Sequence, residues 1–200
     1  MGGTFDPIHL GHLVTAEAAR AAFDLERVIF VPAGMPPHKT GQLVTQSKHR
    51  HLMAVLATVT NPGFEVSRFE VDRPGPSYTI DTVRHFRSEI GPDRPLYFIT
   101  GADAVLELGT WHDLDGILAY ADIIAATRPG YALEQRAGHL TECQRAHLKV
   151  LEVPALAISS SDIRRRVAIG APIKYLVPEP VEYYIARNHL YQPVAQPVER

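Results

Sequence analysis

Short apolar runs along the chain alternate with stretches whose apolar positions recur every three to four residues. That pattern belongs to a parallel sheet wrapped by helices. The strand-like runs are Arg27–Pro32, Phe64–Val71, Leu96–Thr100, Ile123–Ala126 and Leu148–Val153. Helical spacing covers Leu10–Phe23, Thr45–Thr60, Thr79–Ile90, Ala104–Leu108, Leu114–Tyr120, Ser161–Ile169 and Val181–Asn188. Asn61-Pro62-Gly63 stops the second helix, and Pro32 ends the first apolar strand. The order predicts an α/β fold, a doubly wound, Rossmann-like parallel sheet with helices on both faces. A single domain is expected over residues 1–190, followed by a flexible tail, 191–200, with Pro193 and Pro197.

One element departs from that plan. A doubly wound fold carries its phosphate-binding turn after the first, central strand. Here glycines stand at positions 2 and 3, so the first strand reads as truncated. A central strand buries several side chains, each stabilising by roughly 1.5–3 kcal/mol. Losing about five of them approaches the whole stability of a domain, about 5–15 kcal/mol. The expectation is that Met1 is an internal methionine and that the natural chain starts upstream.

The same stretch holds the densest candidate chemistry, Gly2-Gly3-Thr4-Phe5-Asp6-Pro7-Ile8-His9-Leu10-Gly11-His12. Glycines let backbone amides approach a ligand, and Pro7 holds Asp6 extended with a helix able to start beyond it. His9 and His12 then share one face of the first helical turn. Unpaired N–H groups and the positive end of the helix dipole make that turn an anion site. Gly11 clears space between the imidazoles. The set suits an oligophosphate whose reacting phosphorus lies beside two proton-bearing rings; two solvated histidines at a helix start are the plain alternative. Asp6 reads as structural, bonding the amides of its own turn.

Other chemistries fit less well. No Gly-x-x-x-x-Gly-Lys-Ser/Thr and no Gly-x-Gly-x-x-Gly after a strand occurs. A zinc site needs three or four ligands, whereas the chain has one cysteine and no His-Glu-x-x-His. Its 200 residues, 46% hydrophobic, suffice for a sizeable core. A net charge of −2 argues against a general nucleic-acid binder. The lone Cys143 fits a reducing cytoplasm, and no apolar run of about eighteen residues suggests a membrane span.

Gly3-Thr4-Phe5-Asp6-Pro7-Ile8-His9-x-Gly-His12, together with Ile158-Ser159-Ser160-Ser161-Asp162-Ile163-Arg164, resembles the His-x-Gly-His nucleotidyltransferases. Within them the chain looks like the bacterial nicotinate-nucleotide adenylyltransferases, over nearly its whole length. The resemblance implies adenylyl transfer from ATP to nicotinate mononucleotide, giving deamido-NAD and pyrophosphate. It implies magnesium, carried on the triphosphate by substrate oxygens and waters. The attacking phosphate is already ionised, so catalysis reduces to positioning and charge stabilisation.

By the resemblance, His12 touches the α-phosphate with His9 in support, while Gly3, Thr4, Phe5 and Gly11 line the phosphate path; the Phe5 ring itself reads as core. Lys39, after Pro36-Pro37-His38, looks like the family's phosphate-reaching lysine; by spacing alone it is a solvated loop residue. Lys48-His49-Arg50-His51 reads mostly as a solvated helix start, with Arg50 within reach of substrate. Ser77-Tyr78-Thr79-Ile80-Asp81-Thr82 is similar to the family's Ser-x-Thr-x-x-Thr signature. Thr79 is the expected nicotinate contact there, and hydroxyl caps are the alternative. Gly101 and Asp103 end a strand where an acid can bind ribose hydroxyls or cap a helix. Trp111 is expected to stack on the pyridine ring. His112 stands where relatives often carry a second aromatic. Ile158, Ser159 and Ser160 begin a helix as a second anion site, and Ser161 keeps the hydroxyl of the family's usual threonine. Arg164 can fork onto the leaving pyrophosphate, while Arg165 and Arg166 face solvent.

Nicotinamide-mononucleotide, phosphopantetheine and cholinephosphate nucleotidyltransferases are rivals within the enzyme class. No Arg-Thr-Glu-Gly precedes the Ile-Ser-Ser run, which counts against the cholinephosphate type. A non-catalytic ATP-binding sensor is the rival from another class. The full set of His9, His12, Lys39 and Arg164 is more than binding requires. Oligomeric state is left open, with a homo-oligomer compatible.

Overall fold

The computed structural model describes residues 1–36, 44–128, 138, 140–154 and 156–193. Its strands are β1 (Gly2–Gly3), β2 (Val28–Pro32), β3 (Phe64–Val66), β4 (Tyr97–Gly101), β5 (Asp122–Thr127) and β6 (Leu148–Glu152). The helices are α1 (Leu10–Ala22), α2 (Ser47–Thr58), α3 (Thr79–Ile90), α4 (Ala102–Leu106), α5 (Leu114–Leu118), α6 (Glu142–Ala146), α7 (Ser160–Ala168) and α8 (Glu179–Arg187). Strands β1-β2-β3 form one parallel sheet and β4-β5-β6 another. The two meet where β1 lies against β4, the Phe98 ring filling the space beside Gly2. Across the molecule the order is 3-2-1 then 4-5-6, with the reversal point between β1 and β4. In such folds ligands bind outside the carboxyl ends of the strands at that reversal.

Alternation along each strand decides which helices cover it. On β5, Ile124 faces α1, α2, α7 and α8, while Ile123 and Ala125 face α4 and α5. Ile99 of β4 joins the first group, and its neighbour Phe98 packs toward Ile80 and Val83 of α3. Helices therefore lie on both faces, as the doubly wound pattern requires. Alanine, the strongest helix former, also lets α1 sit close to the sheet, since Ala16 and Ala19 are fully buried.

The predicted strand 64–71 is shorter than its alternation suggests. The last ladder bond runs from Ser67 N–H to Phe30 O. Beyond it Phe69 N–H turns back to Ser67 Oγ and Asp72 N–H to Arg68 O, so the chain folds over and carries Glu70 inward. Helix α2 starts at Ser47 rather than Thr45, because Gln46 is the N-cap with a non-helical ψ of 139°; just before it Asp6 Oδ2 accepts the Thr45 N–H at 3.2 Å. Periodicity does not predict the short α6, although its capping box is present: Thr141 Oγ accepts from Gln144 N–H and Gln144 Oε1 from Thr141 N–H.

With β1 only two residues long, β2 and β4 stand apart below it. A largely apolar cavity of about 360 Å³ opens there between their amino-terminal halves, bounded by Val28, Phe86, Leu96 and Tyr97. It lies at the opposite end of the strands from the sheet edge that carries the glycine turn. The Met1 nitrogen donates to Ile29 O at 2.7 Å. Among the described residues no helix is long and apolar enough to cross a membrane.

Candidate functional site

The chain leaves β1 at Gly3, turns through Phe5 at a positive φ of 49°, and enters α1 with His9 as N-cap. The imidazoles of His9 and His12 stack with centroids 3.7 Å apart. His12 Nδ1 accepts the His9 backbone N–H at 3.2 Å. An accepting Nδ1 on a neutral ring leaves its proton on Nε2. Burial pushes the His9 pKa down to about 4. Burial, with a smaller repulsion from His9, takes His12 to about 3. Both rings are therefore neutral near pH 7 in the ligand-free protein. His9 Nδ1 is buried with no hydrogen-bond partner among the described residues, a group that an incoming polar ligand or water would satisfy.

The glycines of this turn serve the rings around them. A Cβ on Gly2 would meet the Phe98 ring at 2.9 Å and one on Gly3 the Phe5 ring at 2.8 Å. Gly11, expected to clear space for a ligand, clears it for His9, whose Nδ1 would lie 3.1 Å from an added Cβ. The Phe5 ring is core, 3% exposed and edge-on to His12 at 5.0 Å.

The second motif docks onto the first. Ser159 caps α7 by accepting the Asp162 N–H, which starts the helix at Ser160, one residue ahead of the predicted Ser161. Ser160 Oγ donates to Pro7 O at 2.9 Å, and Arg164 Nη1 donates to Asp6 O at 2.7 Å. Arg164 Nη2 donates to Ser161 Oγ. Ile158 packs against the same core as Phe5. Arg165 and Arg166 turn back onto Asp162. The beginnings of α1 and α7 thus sit side by side.

A third group lies around Trp111. The indole packs edge-on against Phe98 at 5.5 Å, and the exposed His112 ring lies 4.8 Å from the Tyr78 ring. This brings Trp111-His112 beside the start of α3, where Thr79 is the first helical residue. The capping alternative does not hold there. Tyr78 is the N-cap and makes no side-chain cap; Ser77 Oγ instead accepts from Gly34 and Met35 N–H, and Thr82 donates to Glu70. Gly101 caps α4 by its backbone position, so Asp103 is an exposed residue of the first turn rather than the cap. His38 and Lys39 lie outside the described residues.

The cytidylyltransferase-like family matches residues 1–166. The chain is 59% identical over 196 residues to "Probable nicotinate-nucleotide adenylyltransferase" of Moorella thermoacetica, covering 96% of this chain and 90% of the relative. It is 56% identical over 195 residues to the protein of the same name in a Thermoanaerobacter strain, covering 96% and 92%. The chain belongs to the cytidylyltransferase-like family and, within it, to the nicotinate-nucleotide adenylyltransferases. Its fold also superposes on the Plasmodium falciparum nicotinic acid mononucleotide adenylyltransferase complexed with NaAD, with a TM-score of 0.73 at 19% identity, covering 95% and 94% of the two chains.

Several residues around this candidate site are not legible in the sequence. Asp6 is 3% exposed and does not bond its own turn; its carboxylate accepts from Thr45 N–H and from the Tyr191 hydroxyl. Burial, then the charge and hydrogen bond of Asp6, raise the Tyr191 pKa. Nothing local in sequence joins positions 6 and 191. Arg50, read as within reach of substrate from a mostly solvated helix start, is 1% exposed and bonded to backbone carbonyls. A signal exists: Arg50, Met53, Ala54 and Ala57 recur at i, i+3, i+4 and i+7, the buried stripe of α2. Glu70, whose pKa burial raises, is hidden in sequence by the alternation of 64–71.

Proposed function

We propose that this chain transfers the adenylyl group of ATP to nicotinate mononucleotide with its α1–α7 junction as the active site. The observation that carries this assignment of the site is the docking of the Ser160 helix on the turn that bears the stacked histidines. A phosphate oxygen of the mononucleotide bonds to the α-phosphorus. The bond from that phosphorus to the bridging oxygen breaks, and pyrophosphate leaves with the electron pair.

The neutral His12 tautomer presents Nε2–H as a donor to an α-phosphate oxygen. His9, stacked behind it, supplies a second imidazole whose Nδ1 has no partner among the described residues. Negative charge brought by the triphosphate favours protonation of His9 at its open Nδ1, so positive charge gathers where negative charge develops in the transition state. Arg164 and the first turn of α7 face the leaving pyrophosphate, and Gly3, Thr4, Phe5, Gly11 and Lys39 complete the phosphate path. Thr79, Trp111 and His112 hold the pyridine end, with Gly101 and Asp103 at the ribose.

The donor set of imidazole, guanidinium, hydroxyl and amide groups is built for anions, and the Asp6 carboxylate is already occupied. That set fits a magnesium ion arriving on the nucleotide, where it neutralises phosphate charge. We place the reaction in the cytoplasm.

Pyrophosphate release should require ATP and nicotinate mononucleotide together. Nicotinamide mononucleotide and phosphopantetheine serve as competing acceptors in the same assay. Tight ATP binding with no release from any acceptor would instead establish the sensor reading.

A further inference from the structure

Arg50 is the largest fully buried side chain among the described residues, yet none of their carboxylates bonds to it. Its Nη1 donates to Thr4 O at 2.7 Å, Nη2 to Gly34 O at 2.9 Å and Nε to Thr45 O at 2.8 Å. The three carbonyls belong to the phosphate turn, to the chain leaving β2, and to the chain entering α2. Asp6, Glu70 and Tyr191 are the titratable groups whose charges it feels, and burial is the larger influence, lowering its pKa. Burying a guanidinium is expensive, and well-packed apolar residues often stabilise a core as well or better. A planar fork reaching three loops has a use that an apolar residue lacks: it sets their relative positions.

We propose that Arg50 is a positioning residue for adenylyl transfer, fanning onto Thr4, Gly34 and Thr45 so that the phosphate turn is aimed. In a trans peptide the C=O and the next N–H point in opposite directions. Drawing Thr4 O into the guanidinium therefore turns the Phe5 N–H away from Arg50. Thr45 closes a second loop to the same turn, because its N–H bonds Asp6 while its carbonyl bonds Arg50. Arg50 reaches reactants only through these backbone groups, and the proposal rests on the adenylyltransferase reading above.

Arg50→Lys keeps the charge but loses the planar fork, and Arg50→Gln keeps two donors without charge. The expected result for Arg50→Lys is a kcat lowered by about 10- to 100-fold, the scale of a small misplacement of reacting groups. The KM for ATP should change by less than about threefold on that view, with unfolding still cooperative. A kcat per folded molecule within twofold of the parent overturns the proposal. A second measurement needs no variant. The Arg50 Nε–H proton of the parent protein should be visible by NMR as slowly exchanging, and should shift when a non-hydrolysable ATP analogue binds. An unmoved signal at saturation overturns the proposal, whatever the variants do. A parent protein that binds the analogue but releases no pyrophosphate sinks the functional reading alone.

Discussion

Arg164 and Asp6 are 158 positions apart in the chain, and the Arg164 guanidinium donates to the Asp6 carbonyl oxygen at 2.7 Å. That bond, with Ser160 on Pro7 O, joins two motifs that a sequence can only set side by side. It also gives Arg164 a structural duty, with Nη1 on the turn and Nη2 on Ser161 Oγ, beside the proposed one of meeting an anion with its remaining N–H groups.

Replacing Arg164 by alanine should lower kcat/KM about a hundredfold or more, the scale seen when one charge-stabilising donor is lost. Arg164→Lys should recover part of this, since it keeps the charge but not the fork. Steady-state pyrophosphate release measures both, and unchanged turnover in Arg164→Ala would remove Arg164 from the site.

His12→Ala should cost a comparable factor in kcat, because it deletes the Nε2–H donor. The backbone N–H of His9 then loses its acceptor, at about 1 kcal/mol. A His12→Ala protein with parental kcat contradicts the assignment of the donor.

Stability should fall on acidification between about pH 6.5 and 3. Folded His9 and His12 have pKa values near 4 and 3, below the ordinary 6.5. The unfolded chain therefore binds more protons in that window, and protonation favours unfolding. Each tenfold difference in proton affinity is worth about 1.4 kcal/mol, so shifts of this size make the loss comparable to the whole stability of a domain. Urea midpoints of the parent and His12→Asn, measured from pH 7.5 to 4, check the sign. The variant should lose less on acidification.

Gly101→Ala tests the ribose end. Gly101 has an ordinary φ of −77°, and an added Cβ would meet nothing within 4 Å. The variant should fold with a parental melting temperature while the KM for the mononucleotide rises several-fold through steric conflict with bound substrate. A parental KM places the substrate elsewhere.

The core offers a control. Phe30 is fully buried between Phe5 and Phe64, with ring centroids 5.8 and 5.1 Å away. Phe30→Ala should destabilise by about 3–5 kcal/mol, read as a lowered urea midpoint. Turnover per folded molecule should fall too, because the Phe5 ring that abuts His12 loses its support.

What the sequence alone determined was local. Periodicity placed β2, β4, β5, α1, α3 and α7 within a residue or two, because side-chain period follows backbone geometry. The two helix beginnings, at His9 and Ser159, were legible because turns and hydroxyl caps are short-range features. Alternation misled at 64–71, where bonds from Ser67 and Arg68 end the strand and turn Glu70 inward. Only the tertiary structure decided what long-range bonds decide. It buried Arg50 on three backbone carbonyls, tied Asp6 to Tyr191, set one imidazole on the other, and joined the two motifs. Those outcomes depend on which loops meet at the reversal between β1 and β4, and on the water excluded when they do. No spacing along a chain encodes that meeting, because it exists only after the two half-sheets have come together.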